Sequence, residues 1–172
     1  MALALLRSVL DLVEDNIDFA FRAGDLHTDH AVARLVLSAK TKCVAHPHLL
    51  AQYGTPTTPD DLARFPYVGF AKAEQKELII SLENKVLKLP YVFASNDVYA
   101  VAYFIRQGRG IGYLPEQMAN RLIEEYGLVE VLPDYPMRTY PVHLLYLKHR
   151  YPSSVMRAFL DFVMEKVGFL AV

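Results

Sequence analysis

A chain of 172 residues with 53% hydrophobic and 22% charged residues can bury the core of one medium domain or of two small lobes, and this excludes the disordered class. Its 18 Lys and Arg are scattered among 19 Asp and Glu for a formal net charge of -1, so no basic face is set aside to grip nucleic acid by its phosphates. Cys43 is the single cysteine, which excludes an internal disulfide and fits a reducing compartment. No apolar run approaches the roughly 18 residues of a membrane span, so a soluble, cytoplasmic protein with no membrane partner is expected.

The opening "MALALL" is apolar, but no basic segment precedes it and no small-residue cleavage site follows, which argues against a secretion signal. Leu3, Leu6, Leu10 and Val13 recur at helical spacing and predict a helix over 2–14. Ile17, Phe19 and Phe21 alternate with polar or small residues, as in a strand ended by Gly24 and Asp25. "AVARLVLSAKTKCVAH" predicts one long or bent strand. Pro47 then opens a short helix stopped at Gly54, and Thr58 caps a second that begins at Pro59. Short strands are expected at 67–70, 77–82 and 86–89.

Tyr91 to Ala94 reads as a strand, with Ser95 or Asn96 as cap of a helix whose apolar face is Val98, Val101, Ala102 and Ile105. Gly108 ends that helix, Ile111 to Leu114 form a strand, and Pro115 opens a helix stopped at Gly127. "LVEVLP" and "YPVHLLYL" are further strands. The last helix follows Pro152, Ser153 and Ser154, with Val155, Phe159, Phe162 and Val163 as its expected buried face. Strands and helices alternate, which points to an α/β fold with mostly parallel strands.

The glycines of "RQGRGIGYLP" follow a helix and precede a strand. Phosphate-binding loops have the opposite order, so Gly108, Gly110 and Gly112 are read as a tight helix-to-strand connection. The turn "ASND" is different, because helix N-termini at the carboxyl ends of strands are where ligands sit in open α/β sheets. Ser95 and Asn96 lie at such a place, as do His46 and Pro47; the competing reading is that they simply cap their helices. Cys43, His46 and His48, and separately His27 and His30, lack the second half of a zinc site, so no metal and no cofactor is expected. Asp60–Asp61 and Glu124–Glu125 fit a helix start and a solvated helix face better than an acid/base pair. With no nucleophile elbow and no metalloprotease motif, no enzyme is expected.

The ordered set "DLVEDNIDFAFRAGDL", "VARLVLSAKTKCVAHPHLLAQYGTPTTPDDLARFPYVGF", "FASNDVYAVAYFIRQGRGIGYLPE" and "LVEVLPDY" resembles the effector-binding domain of LysR-type transcriptional regulators, from about Leu10 to Val167. The resemblance implies a two-lobed type 2 periplasmic-binding-protein fold, with lobe I at 1–37 and 142–172 and lobe II at 38–141. It implies a small-molecule effector, often a carboxylate or aromatic metabolite, held between the lobes. It also implies homo-oligomers, and DNA contact only through a separate winged helix-turn-helix domain. Ligand-binding candidates carried over are Arg22, Ser95, Asn96, Asp97, Val142 and His143.

Arg22 has two readings, a ligand carboxylate or an ordinary pairing with Asp18 or Asp25. The family's domain opens with a strand-helix-strand unit before the region where this chain starts. The resemblance therefore implies an incomplete first lobe, an open sheet edge that another chain could cover, and a partial ligand site, in a truncated product, an expressed fragment or a chain with a mispredicted gene start. Two other classes compete: a stand-alone solute-binding protein, which a secretion signal would favour, and an enzyme on the same scaffold, which would need a catalytic constellation in the cleft.

Overall fold

The computed structural model describes residues 3–4, 12, 17–24, 31–70, 77–82, 85–147 and 153–170. In chain order the elements begin with strands β1 (Leu3–Ala4), β2 (Phe19–Ala23), β3 (Ala31–Ala39) and β4 (Thr41–Ala45), then helix α1 (Pro47–Tyr53) and the 3-10 helix Pro59–Arg64. Strands β5 (Val68–Phe70), β6 (Glu77–Ser81), β7 (Val86–Pro90) and β8 (Phe93–Ser95) lead to helix α2 (Val98–Arg106). Strand β9 (Gly112–Pro115), helix α3 (Glu116–Tyr126), strands β10 (Val129–Glu130) and β11 (Tyr140–Leu147), and helix α4 (Ser154–Leu170) complete the series.

Contacts divide the chain into two compact units, Met1–Ala39 with Tyr140–Val172, and Lys40–Thr139. The one long or bent strand expected over 31–46 is thus two strands. β3 ends at Ala39 in the first unit, and β4 begins at Thr41 in the second.

The first unit is built on a four-stranded sheet in the order β1-β2-β11-β3. Strand alternation gives this sheet two working faces. Phe19 and Leu144 meet Val36 and Val163 on the face covered by α4, while Ala20 and Leu145 meet Leu12 and Ile17 on the other. The β11–β3 register shifts between Val142 and His143, where Val142 pairs with Leu37 but His143 pairs with Leu35. The extra residue is Val36, and a bulge of this kind lets two successive side chains share a face. Val36 and Leu37 both pack in the α4-side core.

Leu3–Ala4 is a strand parallel to Phe19–Ala20 and not the start of a helix. Its backbone partners come from β2, which local periodicity cannot register. Leu6, Leu10 and Val13 of the expected helix lie outside the described residues.

In the second unit β10-β4-β9 form one sheet, and a parallel bridge between Tyr67 and Ile111 joins it to β5-β8. Val68 N–H donates to Ile111 O at 2.8 Å and Ile111 N–H to Pro66 O at 2.9 Å across that junction. Both faces are buried at Cys43, Val44 and Ala45, which is why "CVA" reads as a continuous apolar run. Cys43 and Ala45 enter a core with Leu49 of α1, Leu62 of the 3-10 helix and Ile80 and Leu89 of the β6–β7 hairpin. Val44 enters another with Val68, Val101, Ile105 and Leu114, beneath α2 and α3.

The expected predominance of parallel strands does not hold among the described residues, because five of the seven strand pairings are antiparallel. One of the five, β6–β7, joins consecutive strands of the second unit, and another, β11–β3, follows from the double crossing. β3 carries the chain out of the first unit and β11 carries it back beside β3, so the two must oppose each other.

The "RQGRGIGYLP" stretch is a helix-to-strand connection. Gly108 takes the left-handed conformation at φ 68°, and the N–H groups of Gly108 and Arg109 donate to Ile105 O and Phe104 O at 2.9 and 3.1 Å. This double closure ends α2 and satisfies its last carbonyls. A Cβ on Gly110 would stand 2.6 Å from Pro66 O, and one on Gly112 would strike Val68 O and Ile105. The glycines therefore let β9 press against β5.

The buried face of α4 differs from expectation. Val163 is buried, with Met156, Phe159, Leu160 and Val167 packed beside it, whereas Val155 and Phe162 are 64% and 57% exposed. Positions 156, 159, 160, 163 and 167 follow one helical stripe, and 155 and 162 fall on the neighbouring one.

Candidate functional site

The sequence candidates fall into one group in each unit. In the first unit Arg22 ends β2 opposite His143 of β11, and Val142 stands opposite Ala23. Directly paired residues share a face, so Arg22 and His143 lie together, on the side of the sheet that also carries Ala20 and Leu145. Alternation puts Val142 on the other side. The pair sits toward the end of the sheet where β3 leaves at Ala39 and β11 enters at Tyr140.

His143 Nδ1 is buried and has no hydrogen-bond partner among the described residues. A buried polar atom left in this state costs free energy until something pairs with it. Arg22 is half-buried and makes no ion pair with Asp18; Asp25, its other proposed partner, lies outside the described residues.

In the second unit the "ASND" turn joins β8 to α2. The cap of α2 is Asp97, not Ser95 or Asn96. Its carboxylate accepts from Tyr99 N–H at 2.8 Å, while Ser95 Oγ accepts from Asp97 N–H at 3.0 Å. The helix starts at Val98, one residue later than the expected cap allows, so the roles shift along the chain: Ser95 braces the turn and Asp97 caps. Asn96 is exposed.

β8, β5 and β9 run parallel while β4 opposes β9, so Ser95 lies at the end of this sheet from which β4 starts. His46 and Pro47, the other candidate strand end, lie at the opposite end. His46 Nδ1 accepts from His48 N–H at 3.1 Å and caps α1.

Cys43 is fully buried, and burial pushes its thiol up to about 12, with the Tyr113 hydroxyl pulling the other way. A neutral buried thiol is neither nucleophile nor metal ligand at neutral pH. Beside it, Thr41, Tyr113, Leu132 and Met137 line a cavity of about 50 Å3. Thr41 Oγ1 is buried there without a partner among the described residues, and the space suits a few waters rather than a metabolite. Leu132 has φ 56°, a rare left-handed value for a bulky residue, in the turn closed by Tyr135 N–H on Leu132 O at 3.0 Å.

No group of three His, Cys, Asp or Glu among the described residues stands in a metal-holding arrangement, and His27 and His30 lie outside them. The acidic pairs are structural. Asp61 accepts from the backbone N–H groups of Thr57 and Thr58 at 3.0 and 2.9 Å, and Glu125 pairs with Arg121 at 2.9 Å.

Sequence reasoning missed a groove of about 570 Å3 between α2 and α3, lined by Tyr99, Tyr103, Arg106, Leu122 and Tyr126 among others. Tyr99 and Tyr103 are 73% and 52% exposed. Their spacing of four beside the buried stripe is the signal that could have found it.

Among the described residues no helix is long and apolar enough to cross a membrane. Residues 3–168 match the model of the LysR substrate binding domain. The transcriptional regulator CrgA of Neisseria meningitidis is 25% identical over 162 residues, 92% of this chain and 54% of its own length. An uncharacterized HTH-type transcriptional regulator of Haemophilus influenzae is 29% identical over 157 residues, 89% of this chain and 54% of its own. The full-length virulence activator AphB of Vibrio cholerae, at 23% identity, superposes with a TM-score of 0.77 over 92% of this chain and 55% of that one, which shows the fold. The chain thus spans about half the length of the curated relatives it matches. It belongs to the LysR substrate-binding domain family, with that family's α/β fold of the type 2 periplasmic-binding-protein kind.

Proposed function

We propose that this chain is the effector-sensing and oligomerisation part of a LysR-type transcriptional regulator. It takes up a small metabolite, a carboxylate or an aromatic acid, and so alters how a separate winged helix-turn-helix domain grips DNA in the cytoplasm. It carries no catalytic role. The observation that supports this best is the Arg22–His143 pair, a cation beside a buried imidazole nitrogen with no partner among the described residues. A carboxylate or a ligand hydroxyl supplies what that nitrogen lacks, and Arg22 fixes its charge. Ser95, Asn96 and Asp97 are a separate candidate group within the second unit. Arg22 and His143 lie toward the end of their sheet where β3 ends and β11 begins, and Ser95 lies at the end of its own sheet from which β4 starts.

The test is thermal unfolding of the chain against small carboxylates, aromatic acids and amino acids. A ligand at a hundred times its dissociation constant adds about 2.7 kcal/mol, which moves the transition by several degrees. The expected result is a saturable shift for one acid class that Arg22→Ala and His143→Gln each abolish. A saturable shift that both variants keep overturns the assignment of the site, and a transition unmoved by every acid overturns the ligand class.

A further inference from the structure

The Arg22–His143 pair continues into a third strand. β3 sets Leu35 opposite His143, so Arg22, His143 and Leu35 form one row across β2, β11 and β3. Paired residues share a face, which places all three on the side of the sheet that carries Ala20 and Leu145. Neighbouring strands lie about 4.8 Å apart, so the row is about 10 Å from end to end. Its chemistry is graded along that length. Arg22 brings a charge with no ion pair among the described residues, and His143 brings a buried nitrogen with no partner among them. Leu35 ends the row with a hydrocarbon side chain that is 53% exposed.

The bulge at Val36 keeps the Leu35 end of the row open. In an unbroken strand Leu37 would follow Leu35 on the same face. The extra residue turns Leu37 into the α4-side core instead, and the next residue of β3 after it is the exposed Ser38, opposite Pro141. Bulges re-aim side chains in this way. Here the effect is to take a second bulky side chain away from Leu35.

We infer that the row takes a 2-hydroxy acid bearing a hydrocarbon group, with its carboxylate at Arg22, its hydroxyl at His143 Nδ1 and its hydrocarbon on Leu35. Leu35 is thereby a specificity-determining residue. This rests on the assignment of Arg22 and His143 to an acid ligand, and it adds the order of groups along that ligand. The hydroxyl follows from the imidazole. A neutral ring nitrogen is either donor or acceptor, and a hydroxyl serves it in both states, whereas a carboxylate serves only the donor. The hydrocarbon follows from Leu35, because apolar surface beside a few converging polar groups is the composition of a small-molecule site. Covering Leu35 removes apolar surface of both partners from water. In a 2-hydroxy acid the hydroxyl stands between carboxylate and hydrocarbon, which is the order of the row.

The test is isothermal titration calorimetry with three probes. They are mandelate, phenylacetate, which lacks the hydroxyl, and lactate, which has a methyl group in place of the phenyl ring. Mandelate is expected to bind at least about tenfold more tightly than either of the others. Leu35→Ser should abolish the preference for mandelate over lactate and keep the preference for mandelate over phenylacetate. Its unfolding temperature without ligand should stay close to that of the native chain, because the side chain is exposed. Leu35→Met keeps a hydrocarbon surface and should retain both preferences. Mandelate and lactate bound alike, or a preference between them that survives Leu35→Ser, overturns the role of Leu35. Phenylacetate bound as tightly as mandelate overturns the hydroxyl at His143. Failure of all three probes overturns the hydroxy acid, and the acid site still stands if another acid gives a saturable thermal shift that Arg22→Ala abolishes. Mandelate binding that Arg22→Ala and His143→Gln both leave intact overturns the site and this inference together.

Discussion

Helices α2 and α4 are each apolar on more than one side, and they spend the surplus differently. α2 buries Val101, Ala102 and Ile105, stacks Phe104 on Phe93 at 3.7 Å between ring centres, and turns Tyr99 and Tyr103 to solvent. α4 buries Val163 and leaves Val155 and Phe162 outside. The outward rings of α2 end in hydroxyls and can face water alone. The outward side chains of α4, Val155 and Phe162, are hydrocarbon, and the Lys166 ammonium of the same helix, 5.8 Å from the Phe162 ring centre, is the cation set against them.

The sharpest way to break this contrast is to truncate one residue from each stripe. Ile105→Ala removes a fully buried side chain beneath α2 and is expected to cost about 2–5 kcal/mol, whereas Phe162→Ala is expected to change monomer stability by less than about 0.5 kcal/mol. Urea unfolding at low protein concentration measures both. Comparable losses would mean that Phe162 is packed within the monomer and that the stripe is not exposed.

The same two helices explain which parts of the molecule were legible. The face of α2 could be read because its two apolar kinds differ chemically: Val98, Val101, Ala102 and Ile105 form the aliphatic stripe, and tyrosines flank it. In α4, Val155, Met156, Phe159, Leu160, Phe162 and Val163 fill two adjacent stripes with nothing to separate them. Only the position of Leu144 and Phe19 on the sheet beneath decides which stripe is buried. Strand direction was illegible for a related reason, since pairing partners far apart in sequence determine it. Glycine roles were legible because the order of helix, glycine and strand is local. The Arg22–His143 pairing depends on the register of β2 against β11, which no local pattern encodes; the resemblance to a known family, not spacing, put both residues forward.

Helix starts sharpen the comparison at a smaller scale. Asp97 caps α2, and Ser153 Oγ accepts from Met156 N–H at 3.2 Å at the start of α4. Asp97→Ala and Ser153→Ala are each expected to cost about 1 kcal/mol by thermal unfolding. Asp97→Asn keeps the capping oxygen while removing the charge, so stability should stay close to that of the native chain. If an anionic effector lies against the "ASND" turn, the same variant should bind it more tightly. A stability loss in Asp97→Asn as large as in Asp97→Ala would mean that the charge, not the hydrogen bond, holds the turn.

The smallest effect concerns a helix start that titrates. Asp61 at the 3-10 helix is held at about 2, against an ordinary 3.8, first by the Thr58 backbone N–H and then by that of Thr57. A folded value depressed below the unfolded one stabilises the folded state above about pH 4, and that contribution is lost as pH falls through about 2. Asp61→Asn should therefore lower the unfolding temperature near neutral pH, and its gap to the native chain should close as pH is lowered toward 2. The hydroxyl cap at Ser153 does not titrate in this window, so the cost of Ser153→Ala should stay level while the Asp61→Asn gap closes. Added salt should shrink the Asp61 contribution but not the Ser153 one, because only the former rests on an exposed charge. An Asp61→Asn gap that is flat with pH would mean that the amide serves the two threonine N–H groups as well as the carboxylate does, and that this turn is held by geometry alone.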